Sequence, residues 1–190
     1  VTVGAAGTEL ALGDGALTGS LPSFSDGGSV TLNVNGFDQL GQAIDAAGAL
    51  DGSGIDTVQI NLLDGGCNNG GTAGYSDELN TLLSTSGLGH LSQGMDAVLN
   101  LGGADNVSVT IDETQAMGLI HAGLQFASGD AITLNADNAE GTHLGSSLKQ
   151  LAKLGVDAVV VGAAGTELAL GDGALTGGLP SFSDGGSVTL

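Results

Sequence analysis

"THLGSSLKQLAKLGVDAVVV", residues 142–161, contains the local pattern that decides the fold. Leu144, Leu148, Leu151 and Leu154 fall at spacings of 4, 3 and 3, which lays them along one face of a helix. Asp157-Ala158-Val159 then opens a short run of β-branched residues. The opening of Asp, small residue and branched residue recurs at Asp56-Thr57-Val58, Asp96-Ala97-Val98 and Asp130-Ala131-Ile132, running on into stretches such as "TVQINL" and "AITLNA". A helical pattern stands ahead of each. "FDQLGQAIDAAGAL" places Phe37, Leu40, Ile44 and Ala47 on one face, and "SDELNTLLSTSGLGHL" offers Ser76 as a cap with Asp77 and Glu78 in the first turn. "DETQAMGLIHAGL" sets Asp112 and Gln115 at capping-box spacing, with Met117, Ile120 and Leu124 following at helical spacing.

The intervals from Asp56 to Asp96, from Asp96 to Asp130 and from Asp130 to Asp157 are too short for independent domains and suit single coils of a superhelix. Strands separated by a helix are normally parallel. The expected fold is therefore α/β: a helix–strand solenoid resembling the leucine-rich-repeat superhelix, with a parallel sheet along one side and helices along the other. Small apolar residues suit thin, closely stacked layers, and here aromatics are 3% of the chain, Trp is absent and Gly numbers 36.

A longer period overlies this one. Val3–Leu32 returns as Val161–Leu190 with one change, Ser20 against Gly178, at an offset of 158 residues (161 − 3). Self-similarity at a fixed offset marks a tandem array, so the chain reads as one 158-residue unit and the start of the next. Residues 1–35 form a β-rich segment, 36–158 the solenoid coils and 159–190 the start of the next repeat. The first segment has short alternating runs broken by Gly13-Asp14-Gly15, Gly19 and Asp26-Gly27-Gly28, the pattern of a β-rich insertion or cap projecting once per unit. Its Leu10, Leu12, Leu17, Leu21 and Phe24 are expected to supply apolar contact between units or chains.

Two Lys and no Arg stand against 21 acidic residues, 16 of them Asp, for a formal net charge of −19. Nucleic acid and anionic membrane surfaces are therefore excluded as partners. With 41% apolar residues and a mean hydropathy of +0.29 the chain is expected to fold. No membrane-spanning run and no signal peptide is visible. The single cysteine, Cys67, rules out an internal disulfide framework.

Calcium is sought by flexible Asp/Gly/Asn loops, and Asp14, Asp26, Asp51, Asp56 and Asp64 are the candidate ligands. The competing reading has these aspartates accept backbone N–H groups at turns. In a single parallel stack Asp56, Asp96, Asp130 and Asp157 would line up at roughly 5 Å, the strand spacing, and repel one another. Asn33, Asn61 and Asn135 share one strand pattern and are expected to stack at equivalent positions. Catalysis is not expected. His90, His121 and His143 have no metal-pair spacing, Cys67 has no base nearby in sequence, and no phosphate-binding glycine motif is present.

"LKQLAKLGVDAVVV" and "QAMGLIHAGLQFASGDAITLNA" resemble the helix–strand repeats of very large, acidic, tandemly repeated bacterial surface or secreted proteins, the RTX-type adhesins, over Gly36 to Gly162. "GSGIDTV", Gly52 to Val58, fits the G-x-G-x-D-x-apolar core of the RTX calcium repeat, although it occurs once rather than in stacked copies. The resemblance implies an extracellular or cell-surface location, a structural or adhesive role without catalysis, and calcium dependence. Two readings follow: a structural repeat that self-associates into a filament, sheath or surface array, or a calcium-dependent adhesin stalk whose cell-surface or glycan ligand is bound by parts outside this chain. Near-identity between copies favours the first, because a recurring contact requires the same surface at every period.

Overall fold

The computed structural model describes residues 9–12, 23–24, 28–62, 73–102, 107–136, 141–161, 167–169, 181–184 and 187–189. It is an α/β protein in which strands and helices alternate and every pairing between the strands is parallel. Strands β1 (Glu9–Leu12), β2 (Ser29–Asn35), β3 (Thr57–Leu62), β4 (Asp96–Leu101) and β6 (Leu124–Phe126) form a five-stranded sheet in the order β1-β2-β3-β4-β6. A second sheet has the order β10-β8-β7-β5, built from β5 (Ser108–Asp112), β7 (Ala131–Ala136), β8 (Ala158–Val161) and β10 (Ser181–Asp184). A third joins β9 (Glu167–Ala169) to β11 (Ser187–Thr189).

The helices fill the crossovers that parallel pairing demands. α1 (Gly36–Asp45) and α2 (Ala47–Gly52) lie between β2 and β3; α3 (Ala73–Leu83) and a 3₁₀ turn at Leu88–His90 lie between β3 and β4. α4 (Glu113–Ala122) follows β5, and α5 (Gly141–Leu154) follows β7. α3 packs on α4 and α4 on α5. Apolar residues are buried at alternate positions: Val58 and Ile60 in β3, Ala97, Leu99 and Leu101 in β4, Ile132 and Leu134 in β7. The intervening positions carry residues such as Gln59, Asn100 and Thr133. Strands covered on both faces read as continuous apolar runs, so this alternation is the mark of a sheet with one core-facing side.

All four strands announced by an aspartate form where the sequence places them, and the Asp112–Gln115 capping box closes in both directions at the start of α4. Several other expectations change. Among the described residues three parallel sheets stand in place of one. β1 and β2 do not project as a separate insertion: β2 pairs directly with β3, so these two strands enter the five-stranded sheet. Phe24 packs against its own unit's core and donates its N–H to the Ser53 carbonyl at 2.7 Å, so its apolar area is used within the unit. Phe37 is 37% exposed, because the helix breaks at Ala46 and the buried face becomes Leu40, Ala43, Ala47 and Leu50. Ser76 lies inside α3, which already begins at Ala73.

α4 also turns a different face inward. Its fully buried apolar residues are Ala116 and Leu119, with Gln115, while Met117 is half-buried and Leu124 already belongs to β6. Gly123 ends the helix in the left-handed region (φ 73°), where a Cβ would collide with Ser92 Oγ. The corrected face sets a test by urea denaturation. Leu119→Ala is expected to destabilise by about 2–5 kcal/mol and Met117→Ala by clearly less, with the reverse order expected if the sequence periodicity had the face right.

Candidate functional site

The aspartates ahead of the strands are placed by the same geometry twice over. Asp56 donates its N–H to the Val30 carbonyl at 3.0 Å, and its carboxylate accepts the Val30 N–H at 2.7 Å. Asp157 and Ile132 repeat the exchange at 2.9 and 2.8 Å. One side chain thus satisfies an amide at the start of the neighbouring strand, where a free N–H would carry a desolvation cost. Asp130 does something different. Its two carboxylate oxygens accept Leu101 N–H at 3.2 Å and Val107 N–H at 3.3 Å, pinning the end of β4 in one sheet beside the start of β5 in the other.

These residues do not stack as a carboxylate ladder. Asp96 is paired in register with Thr57, which puts it one position away from Asp56, and Asp130 and Asp157 belong to the other sheet. Their repulsion is reduced by this separation, and the backbone N–H groups that Asp56, Asp130 and Asp157 accept supply compensating dipoles.

A ladder does form, of amides. Asn35, Asn61 and Asn100 share one register row. Asn100 Nδ2 donates to Asn61 Oδ1 at 3.0 Å, Asn61 Nδ2 donates to Asn35 Oδ1 at 2.9 Å, and Gln59 Nε2 adds a second donor to Asn61 Oδ1 at 2.8 Å. Asn61 is buried and its two ladder neighbours are not. Of the three asparagines expected to stack, only Asn61 does. Asn33 pairs with Gln59, and Asn135 lies in the other sheet beside Val160. The pattern V-T-L-N aligns with V-Q-I-N by eye, but the sheet sets Leu32 against Val58, two positions out of step.

A second polar set joins helices. Gln115, 2% exposed, accepts the Asp112 N–H through Oε1 and donates through Nε2 to Ser76 O, Ser76 Oγ and Asn80 Oδ1 at 3.1–3.3 Å. It ties α4 to α3.

Of the five candidate calcium ligands, Asp14, Asp26 and Asp64 lie outside the described residues, as does Cys67. Asp51 lies in the last turn of α2, is exposed, and rests its carboxylate against Gly94; Asp56 is the strand cap above. Among the described residues no three His, Cys, Asp or Glu side chains come together as a metal site. His90 and His121 are exposed on separate elements, and His143 falls in the part of α5 whose side chains are not described. A cleft of about 140 Å³ between α4 and α5 is lined by Ile120, Gly123, Leu124, Gln150, Lys153 and Leu154, smaller than the roughly 300–1,000 Å³ of pockets that take small molecules. Among the described residues no helix is long and apolar enough to cross a membrane.

Set against protein families, curated proteins and solved structures, the chain matches none.

Two substitution series test these roles by denaturant unfolding. Asp56→Ala, which strands the Val30 amide, is expected to cost about 1–3 kcal/mol, and Asp56→Asn less, because an amide oxygen still accepts; a dominant charge repulsion would instead make Asp56→Asn stabilising. Asn61→Ala removes the middle rung and is expected to cost about 1–3 kcal/mol, while exposed Asp96→Ala stays within about 0.5 kcal/mol of zero.

Proposed function

We propose that this chain is a non-catalytic structural repeat of a long extracellular bacterial protein that builds a filament, sheath or surface array, and that its strands and helices are the coils of a solenoid. The observation that carries the reading is that one strand pair of the repeated segment keeps its register in both copies. Glu9↔Ser29, Leu10↔Val30 and Ala11↔Thr31 in the first become Glu167↔Ser187, Leu168↔Val188 and Ala169↔Thr189 in the second. A strand pair that keeps its register one full period later is suited to repetition.

The spacing of strand returns supports the same reading. Glu9 meets Ser29 between β1 and β2, Thr31 meets Thr57 between β2 and β3, Thr57 meets Asp96 between β3 and β4, and Thr133 meets Ala158 between β7 and β8. Each return is a length that one coil of a solenoid spans. The polar outward positions of the strands and the amide ladder suit a sheet whose outer side faces water along the length of such an array.

The calcium-dependent stalk is the second reading, supported by a net charge of −19 that divalent cations would relieve and by "GSGIDTV". Two measurements divide the readings. In small-angle scattering, a protein of two complete units is expected to reach about twice the maximum dimension of one unit at an unchanged cross-section, and a compact particle of doubled volume would sink the array. Melting at fixed ionic strength then addresses calcium. A calcium-held fold is expected to lose stability on chelation and regain it with millimolar calcium but not with sodium, whereas an unchanged transition leaves the aspartates as turn caps alone.

A further inference from the structure

The helices carry a knob and a hole of matching size and opposite charge. Among the described residues Phe37, 37% exposed, is the large apolar side chain that the core leaves uncovered. It stands in the first turn of α1, with Gly41 and then Asp45 following along the same side of the helix and Asp38 beside it; both aspartates are exposed. A Cβ at Gly41 would meet nothing within 4 Å, so no side chain screens the ring from that side. The hole is the cleft of about 140 Å³ between α4 and α5. Its floor is apolar: Leu124 and Leu154 are buried, Ile120 is half-buried and Gly123 adds no side chain. Gln150 and Lys153, both exposed, form the rim, and Lys149 stands one turn before Lys153 on the exposed side of α5. These two lysines are the whole complement of Lys and Arg against 21 acidic residues. An apolar cavity of roughly 150 Å³ takes one benzene ring, so the cleft has the capacity for a single phenyl group.

We propose that Phe37 of one copy of this chain seats in the α4–α5 cleft of the next, with Asp38 and Asp45 facing Lys149 and Lys153 across the contact. The proposal rests on the structural-repeat reading and names the surface through which copies associate. A chain does not fill its own cleft: α1 packs on β2 and β3, whereas α5 packs on α4 and β6, and β4 lies between β3 and β6. Charge selects the occupant. At a net charge of −19 two copies repel wherever acidic faces meet, and the lysine-bearing side of α5 is where an aromatic ring flanked by carboxylates is received instead. Exposed ion pairs add little and are screened by salt, so burial of the ring holds the contact while the charges orient it. The contact is heterologous: each copy offers its ring to one neighbour and its cleft to another, and the assembly grows without closing on itself. One ring and two exposed ion pairs make a weak joint, which repetition along an array strengthens by raising the effective concentration of every further joint.

Sedimentation of the full-length chain tests this, in a Cys67→Ser background so that no disulfide contributes. At low ionic strength the chain is expected to form dimers and higher oligomers as its concentration rises into the millimolar range, and added salt to shift it toward monomer. Phe37→Ala, which lacks the ring, and Ile120→Glu, which charges the cleft, are each expected to stay monomeric, with an unchanged far-ultraviolet circular dichroism spectrum verifying the fold. Mixed in equal amounts they are expected to give a dimer that stops at two, because the first keeps the cleft and the second the ring. Lys149→Glu with Lys153→Glu lies wholly on exposed positions and serves as the cleft variant if Ile120→Glu does not fold; adding Asp38→Lys and Asp45→Lys to the same chain is expected to restore growth. Oligomers of Phe37→Ala equal to those of the unaltered chain, or a mixture that stays monomeric, overturns the proposal. So does an unaltered chain that remains monomeric at millimolar concentration, including one that takes up benzene, whose cleft then has another occupant. The array reading fails separately: association through Phe37 in a protein whose two-unit form is compact sinks the array, whereas an extended two-unit protein whose copies do not associate sinks this contact alone.

Discussion

Parallel pairing is the constraint from which the rest of this structure follows. A strand can lie parallel to the one before it only if the chain first returns to the starting edge, and that return takes a crossover of about a dozen or more residues. Here the returns between β2 and β3, and between β7 and β8, run through helices, and those helices cover the inner side of the sheets. The same return brings the residue just before β3 beside the second amide of β2, and the residue just before β8 beside the second amide of β7. An aspartate in that place accepts an N–H that the ladder has not yet reached, which is why Asp56 and Asp157 make one exchange with Val30 and Ile132. Where the chain moves from one sheet to another, between β4 and β5, the aspartate at 130 holds both ends of the gap.

Much of this was legible because the signals are local. The Asp–small–branched opening and the leucine spacing of α5 each lie within one element, and the capping box from Asp112 to Gln115 sits within a single turn. What could not be read depended on partners far along the chain. β6, Leu124–Phe126, is too short to show a period, and it counts as a strand only because β4 is beside it. The division into separate sheets turns on a step between Leu101 and Val107 that no periodicity announces. The amide ladder was misread by two positions, since Asn33 and Asn61 match by their preceding letters while the sheet aligns Asn35 with Asn61. Helix α4 shows a different failure: Gln115 was read as a cap, and its second role, donating to Ser76 and Asn80, moves the buried face around the helix. Among the candidate calcium ligands, Asp56 was open to either role from sequence, and its contact with Val30 belongs to the capping role.

The acidic composition takes on structural meaning in this light. A carboxylate that accepts a backbone N–H serves in the ionised form, so aspartate at a strand start combines solubility with a main-chain cap. Lysine could not take that place: it only donates, and an N–H needs an acceptor. The two lysines, Lys149 and Lys153, both stand exposed on α5, away from the strand starts where the aspartates act.

The short returns between strands also bear on how such a chain acquires its fold. Sheet partners in β1 to β4 are close in sequence, Thr57 and Asp96 being a pair at the wide end of the range, and the entropy of closing a loop grows only with the logarithm of its length. From β2 to β4 each new strand therefore finds its template in chain that has just been laid down. Strands β2 to β4 can thus set in chain order, each finished strand offering the edge on which the next one forms.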